Sequence, residues 1–244
     1  VGTQSPFSDP MIAVSNATGS VNGTGDVGGL VGYQSGNVTD SYASGTVTGT
    51  NRVGGLIGSQ DGTIRASYAS GAVDAEENHA GGLVGYQMPS SNNRIAMSNA
   101  TGSVNGTENV GGFVGDQSGN VTKSYATGTV NGSDYTGGLV GYQNGNITES
   151  YATGAVTGAT RVGGLVGVNF DYNDTETVVR SSYATGDVNA RDCCGGGFAG
   201  WIEDDTVIKD SYATGDVYSE SCCSGGFAGW VDEGAEVHDS YATG

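Results

Sequence analysis

The chain has 244 residues, with 26 acidic against 8 basic side chains for a net charge of −18, and it holds 46 glycines but only 3 prolines, 4 cysteines and 2 histidines. That balance excludes attraction to nucleic acid or anionic membrane, which needs a basic patch, and no run approaches the ~18 apolar residues of a membrane-spanning helix. Low lysine with high aspartate also suits a salty exterior, where counter-ions screen the self-repulsion.

The glycine is in register. Gly-Gly-(Leu/Phe)-(Val/Ile/Ala)-Gly begins at Gly28, Gly54, Gly81, Gly111, Gly137, Gly163, Gly196 and Gly225. Ser-(Tyr/Asn)-Ala-(Thr/Ser)-Gly begins at Ser15, Ser41, Ser67, Ser98, Ser124, Ser150, Ser182, Ser211 and Ser240. The two strings alternate and hold 33 of the 46 glycines, which a flexible or disordered chain would not do. From each Ser string to the next Gly-Gly the spacing is 13 or 14 residues, whereas the return spacing runs from 13 to 19. Insertions therefore fall in one slot, at 88–94, 169–178 and 202–207, and Pro6, Pro10 and Pro89 share it. Inserted backbone must be solvated, so every long loop is expected on one edge.

Each unit is rich in Val, Ile, Thr and Tyr, and glycine interrupts every run before a 3.6-residue period can develop, so short strands are predicted. A unit this small cannot bury a face alone and must stack on its neighbours. The expected fold is all-β: a parallel β-solenoid of about nine coils of 26–33 residues with insertions on one edge. At ~4.8 Å per strand it makes a rod on the order of 43 Å long. Gly-Gly is expected at corners where a Cβ would clash. Residues 1–244 read as one continuous array with subsections 1–82, 83–165 and 166–244, the last a diverged, cysteine-bearing variant. No polar cap is visible at either end, so the array is expected to continue into a longer chain or to stack end to end on another copy.

Candidate residues follow the same register. Sequons stand at Asn16, Asn22, Asn37, Asn99, Asn105, Asn120, Asn131, Asn146 and Asn173. They read either as N-glycosylation acceptors or as turn-forming asparagines beside glycine. Tyr42, Tyr68, Tyr125, Tyr151, Tyr183, Tyr212 and Tyr241 share one slot, which Asn16 and Asn99 fill elsewhere, predicting a half-exposed aromatic ladder. Ring stacking along the rod is preferred there over a carbohydrate-binding strip. Tyr33, Tyr86, Tyr142, Trp201 and Trp230 share a second slot. Two acidic groups, Asp171, Asp174 and Glu176 in one loop and Glu203, Asp204 and Asp205 in another, offer oxygens of the kind Ca²⁺ takes. Neither has the spacing of an ordered calcium loop, so solvated surface is preferred and no cofactor is expected.

Cys193-Cys194 and Cys222-Cys223 lie 29 residues apart, the local repeat length. Stacking sets Cys193 over Cys222 and Cys194 over Cys223, inside the ~4.4–6.8 Å Cα window of a disulfide. Cross-coil disulfides, and with them an oxidising compartment, are expected. Vicinal disulfides, free thiols and a four-thiolate metal site remain as alternatives. His79 and His238 occupy unrelated slots, so no His-centred triad or metal cluster assembles and no enzyme is expected.

Gly-Gly-Leu-Val-Gly at 28–32 with Ser-Tyr-Ala-Ser-Gly at 41–45 resembles the GLUG repeat, and the resemblance runs along essentially the whole chain. The last two units depart from it, with Phe198-Ala199 and Phe227-Ala228 in place of Leu-Val. The family occurs in large secreted and cell-surface proteins, among them adhesins, archaeal surface proteins and bacterial immunoglobulin A peptidases. The resemblance implies a non-enzymatic extracellular rod, filament or adhesin stalk, with a glycan- or protein-binding module or the spacer of a secreted peptidase as alternatives. Implied partners are copies of itself, glycans or surface proteins, with no membrane insertion in this segment. It offers no catalytic residue to carry over.

Overall fold

A computed structural model describes residues 11–90, 92–170 and 176–244. Among these every regular element is a β-strand, and every strand pairing is parallel between one coil and the next. One coil shows the plan. Its strands are Asn120–Thr122, Tyr125–Ala126, Val130–Asn131, Asp134–Gly137 and Val140–Gln143. The first two belong to separate nine-stranded sheets, the next two are arms of one shared sheet, and the last lies in an eight-stranded sheet. In the coils that begin at Ser150 and Ser182 the two arms fuse into the single strands Val156–Gly163 and Val188–Gly196.

The register follows the repeat and ignores the insertions. Val121 pairs with Ile147, which pairs with Val179, although the second step carries a long loop. Eight turns are complete, and Glu236–His238 with Tyr241–Ala242 begin a ninth, close to the nine expected.

Alternation within each short strand makes the core. Val121 is buried while Asn120 before it is exposed, Ile95 follows exposed Arg94 in the same way, and Ile147 is buried after half-buried Asn146. The cross-section holds two hydrophobic columns. The larger one contains Leu139, Val140, Ile147 and Phe113. The smaller lies between the two arms and is built from valines such as Val104, Val110, Val130 and Val156.

The serines of the Ser strings from Ser41 to Ser211 are buried, and those at the ends, Ser15 and Ser240, are half-buried. The Ser98 N–H donates to Ser124 Oγ, the Ser124 N–H to Ser150 Oγ, and Ser124 Oγ in turn donates to the Thr122 carbonyl at 2.9 Å. The ladder runs from Ser15 to Ser240. A second buried polar column, Gln34, Gln60, Gln87, Gln117 and Gln143, stands at the insertion edge. Gln143 Nε2 donates to the Gly145 carbonyl at 2.7 Å, and the Gly119 N–H donates to Gln87 Oε1 at 2.9 Å. These amides satisfy backbone groups just where the chain leaves the ladder.

The glycines sit at bends as expected, but close approach rather than left-handed backbone is what demands them. A Cβ on Gly138 would lie 2.1 Å from the Gly164 carbonyl oxygen, and one on Gly137 would lie 2.0 Å from that of Val140. The left-handed corners belong to other residues. Lys123, Glu149 and their equivalents before each serine have φ near +50°, as do Tyr135 (φ 51) and Arg161 (φ 52) two residues ahead of Gly-Gly. Such a φ is uncommon outside glycine, asparagine and aspartate, and the stack on both sides holds it in place.

Candidate functional site

The tyrosine slot forms stacked rings, in two runs. Tyr42 and Tyr68 stack at 4.9 Å between centroids, and Tyr125, Tyr151, Tyr183, Tyr212 and Tyr241 continue at 4.7 to 5.3 Å, with Asn99 separating the runs. Interplanar angles of 2° to 8° mean that each ring covers the face of the next. A sugar needs a free ring face, so this geometry stiffens the rod instead. Burial, with the neighbouring phenols, pushes the Tyr151 and Tyr183 hydroxyls above their ordinary range.

The sequon asparagines lie along the surface. Asn16, Asn22, Asn37, Asn105, Asn120 and Asn131 are exposed, Asn99 and Asn146 are half-buried, and Asn173 falls outside the described residues. Several are tied into the rod. Asn37 Oδ1 accepts from the Thr63 N–H at 3.2 Å, Asn146 Oδ1 from the Val178 N–H at 2.8 Å, and Asn131 Nδ2 donates to Asn105 Oδ1 at 3.0 Å.

The cysteines meet as their spacing requires. Cys193 pairs with Cys222 across adjacent coils, and their sulfurs lie 2.9 Å apart. Cys193 Sγ also lies 2.8 Å from Cys194 Sγ, and the Cys193, Cys194 and Cys223 sulfurs all fall within 4.8 Å of one another. All four are free thiols, so the expected neighbours are brought together without the expected bonds. Hydrogen bonding to Cys194, then to Cys222, raises the Cys193 thiol, whereas hydrogen bonding from Cys193 lowers Cys222. Among the described residues this cysteine cluster is where three metal-ligating groups converge; Glu203, Asp204 and Asp205 do not. Asp171 and Asp174 of the other acidic group lie outside the described residues, and Glu176 is exposed.

Sequence reasoning missed a groove. Its one wall is the left-handed corner column Arg52, His79, Asn109, Tyr135, Arg161, Cys194 and Cys223. Its other wall is the expected aromatic slot, in which Tyr33, Ser59, Tyr86, Asp116, Tyr142, Val168, Trp201 and Trp230 stand in register. The third glycine of each Gly string lets the walls approach: a Cβ on Gly141 would lie 2.5 Å from Val110 N. Some polar groups here satisfy one another. Arg52 Nε is 2.8 Å from Asp26 Oδ1, and His79 Nδ1 stands 3.2 Å from Asn109 Nδ2 and 3.6 Å from Asp116 Oδ2. Burial, helped by Arg52, holds His79 down to about 4, and burial pushes Asp116 up to about 7.

The family described as "The GLUG motif" matches residues 23–48, 106–131, 132–157, 158–189 and 192–218, more than half of the chain. Residues 106–131 and 132–157 each span one turn of the solenoid, and the longer match at 158–189 includes an insertion. No curated protein and no solved structure matches. With five repeats matched in the register that the strand ladder follows, the chain belongs to the GLUG-motif family.

Proposed function

We propose that this chain forms the non-enzymatic shaft of an extracellular surface structure, whether rod, filament or adhesin stalk. The observation that carries the reading is the uninterrupted serine ladder from Ser15 to Ser240, with the same backbone pairing in every coil. A body of constant cross-section gains about 4.8 Å of length per coil, so reach is set by repeat number alone. A net charge of −18 keeps neighbouring shafts apart. End-to-end stacking or continuation into more chain extends the shaft, and binding to glycans or surface proteins, or spacing a peptidase domain, are the uses such a shaft serves.

The proposal includes covalent reinforcement. Cys222, with its lowered pKa, is the thiol that ionises first, and its thiolate can join Cys193 once an extracellular oxidant such as dioxygen accepts the two electrons and two protons are released. The exposed sequons accept N-glycans, but Asn105 and Asn131 are hydrogen-bonded to each other, so one bulky glycan excludes the second. Peptide mapping of the protein from its native source, without reduction, is expected to show a Cys193–Cys222 link. Glycans should appear on exposed sequons and never on Asn105 and Asn131 of the same molecule. Four free thiols together with a bare polypeptide mass would refute the extracellular reading.

A further inference from the structure

Among the described residues, an open stretch of the groove lies where Val168 stands in the facing column. The facing column carries Tyr142 in one coil and Trp201 two coils on, with Val168 between them. A small residue among large ones leaves a cleft of about 320 Å³, lined by Asp116, Tyr142, Arg161, Val168, Phe170 and Glu203, among others. Its size is at the low end of the ~300–1,000 Å³ of small-molecule sites. Phe170 and Glu203, one residue from each of two insertions, both line it.

Arg161 points to the ligand. Its guanidinium lies 4.9 Å from the ring centroids of both Tyr135 and Trp201, which fixes it by cation–π contact. Among the described residues it makes no hydrogen bond and has no carboxylate oxygen within 4.0 Å, unlike Arg52. Its N–H donors are thus pre-positioned and unspent. Asp116 and Glu203 supply acceptors on the same cleft, while half-buried Phe170, tilted against the buried Tyr142 ring at 5.7 Å, forms its aromatic side. Burial, with Asp232 nearby, raises Glu203 to about 7 against the opposing pull of Arg161, and burial raises Asp116 to about 7.

We propose that the cleft between Arg161, Asp116, Glu203 and the Tyr142 and Phe170 rings is a binding site for a neutral, hydroxyl-rich sugar unit. Ring hydroxyls both donate and accept, which suits a guanidinium set opposite carboxyl groups, and the C–H face of a sugar packs on aromatic rings. Three acidic groups at the cleft, Glu108, Asp116 and Glu203, disfavour an acidic sugar. This binding is a separate activity from the shaft role and does not depend on it.

The test is titration calorimetry of the full chain against neutral hexose oligosaccharides and against uronate oligosaccharides. Neutral sugars are expected to bind. Val168→Tyr, which places in this coil the residue that Tyr142 supplies in the coil before, should fill the cleft and weaken binding by about tenfold or more. Glu203→Gln, on an insertion loop rather than in the core, should weaken it about threefold with an unchanged melting curve, and it decides the matter if Val168→Tyr fails to fold. Absence of neutral-sugar binding, binding of uronates alone, or undiminished binding by the folded variants would overturn the proposal.

Discussion

Gly138→Ala is expected to unfold the central coils, with a loss of more than about 3 kcal/mol, at or beyond the upper end of ordinary overpacking. The added Cβ would sit 2.1 Å from the Gly164 carbonyl oxygen and 2.9 Å from the Ala152 Cβ. Neither can retreat. Gly164 is stacked in the same way, its own Cβ direction ending 2.1 Å from the Gly197 oxygen. Relief therefore requires separating two coils, which breaks the ladder bond from the Gly138 N–H to the Gly163 carbonyl (3.1 Å) and its neighbours. Gly25→Ala is the matched control, since nothing lies within 4 Å of its Cβ direction. Urea unfolding of both variants should show a large shift for Gly138→Ala and a change within about 0.5 kcal/mol for Gly25→Ala.

Phe113→Ala is expected to cost about 3–5 kcal/mol, the range for removing a buried aromatic and leaving a cavity. Phe113 is fully buried and shares its column with Leu83 and Leu139, to which backbone hydrogen bonds join it at 2.8 and 2.9 Å. The neighbours cannot collapse into the space because the ladder fixes them one strand apart. Phe113→Leu, which puts the adjacent coils' residue in the slot, should cost less than about 1.5 kcal/mol. Equal destabilisation by the two substitutions in thermal or urea melts would show that the column is not close-packed.

The parts of this fold that were legible in the sequence are the parts that repeat. Gly28 through Gly225 and Ser15 through Ser240 mark the coil, because a carbonyl ladder and a serine ladder each admit one residue type at one point. The stacking of Cys193 on Cys222 and the run from Tyr125 to Tyr241 followed from the same spacing. The glutamines at 34, 60, 87, 117 and 143 were equally available, one residue past the aromatic slot, and pass unnoticed only because Gln reads as a surface residue. Other features leave no such trace. Val14, Ala66, Lys123 and Tyr135 share a left-handed φ and nothing in their chemistry, since the stack rather than the side chain imposes the conformation. The groove is hidden for the opposite reason. Its walls change residue at every coil, Arg52 to His79 to Asn109 to Tyr135 to Arg161, and variation along a column looks like the lack of a pattern. In a repeat protein the constant positions build the scaffold, and the variable ones are where binding chemistry can be placed.

Stacked coils make a continuous shaft under the proposed function. Electron cryomicroscopy of particles from the native source tests it most directly. Unbranched rods of constant width with an axial spacing of about 4.8 Å are expected. Compact particles lacking that spacing would contradict it.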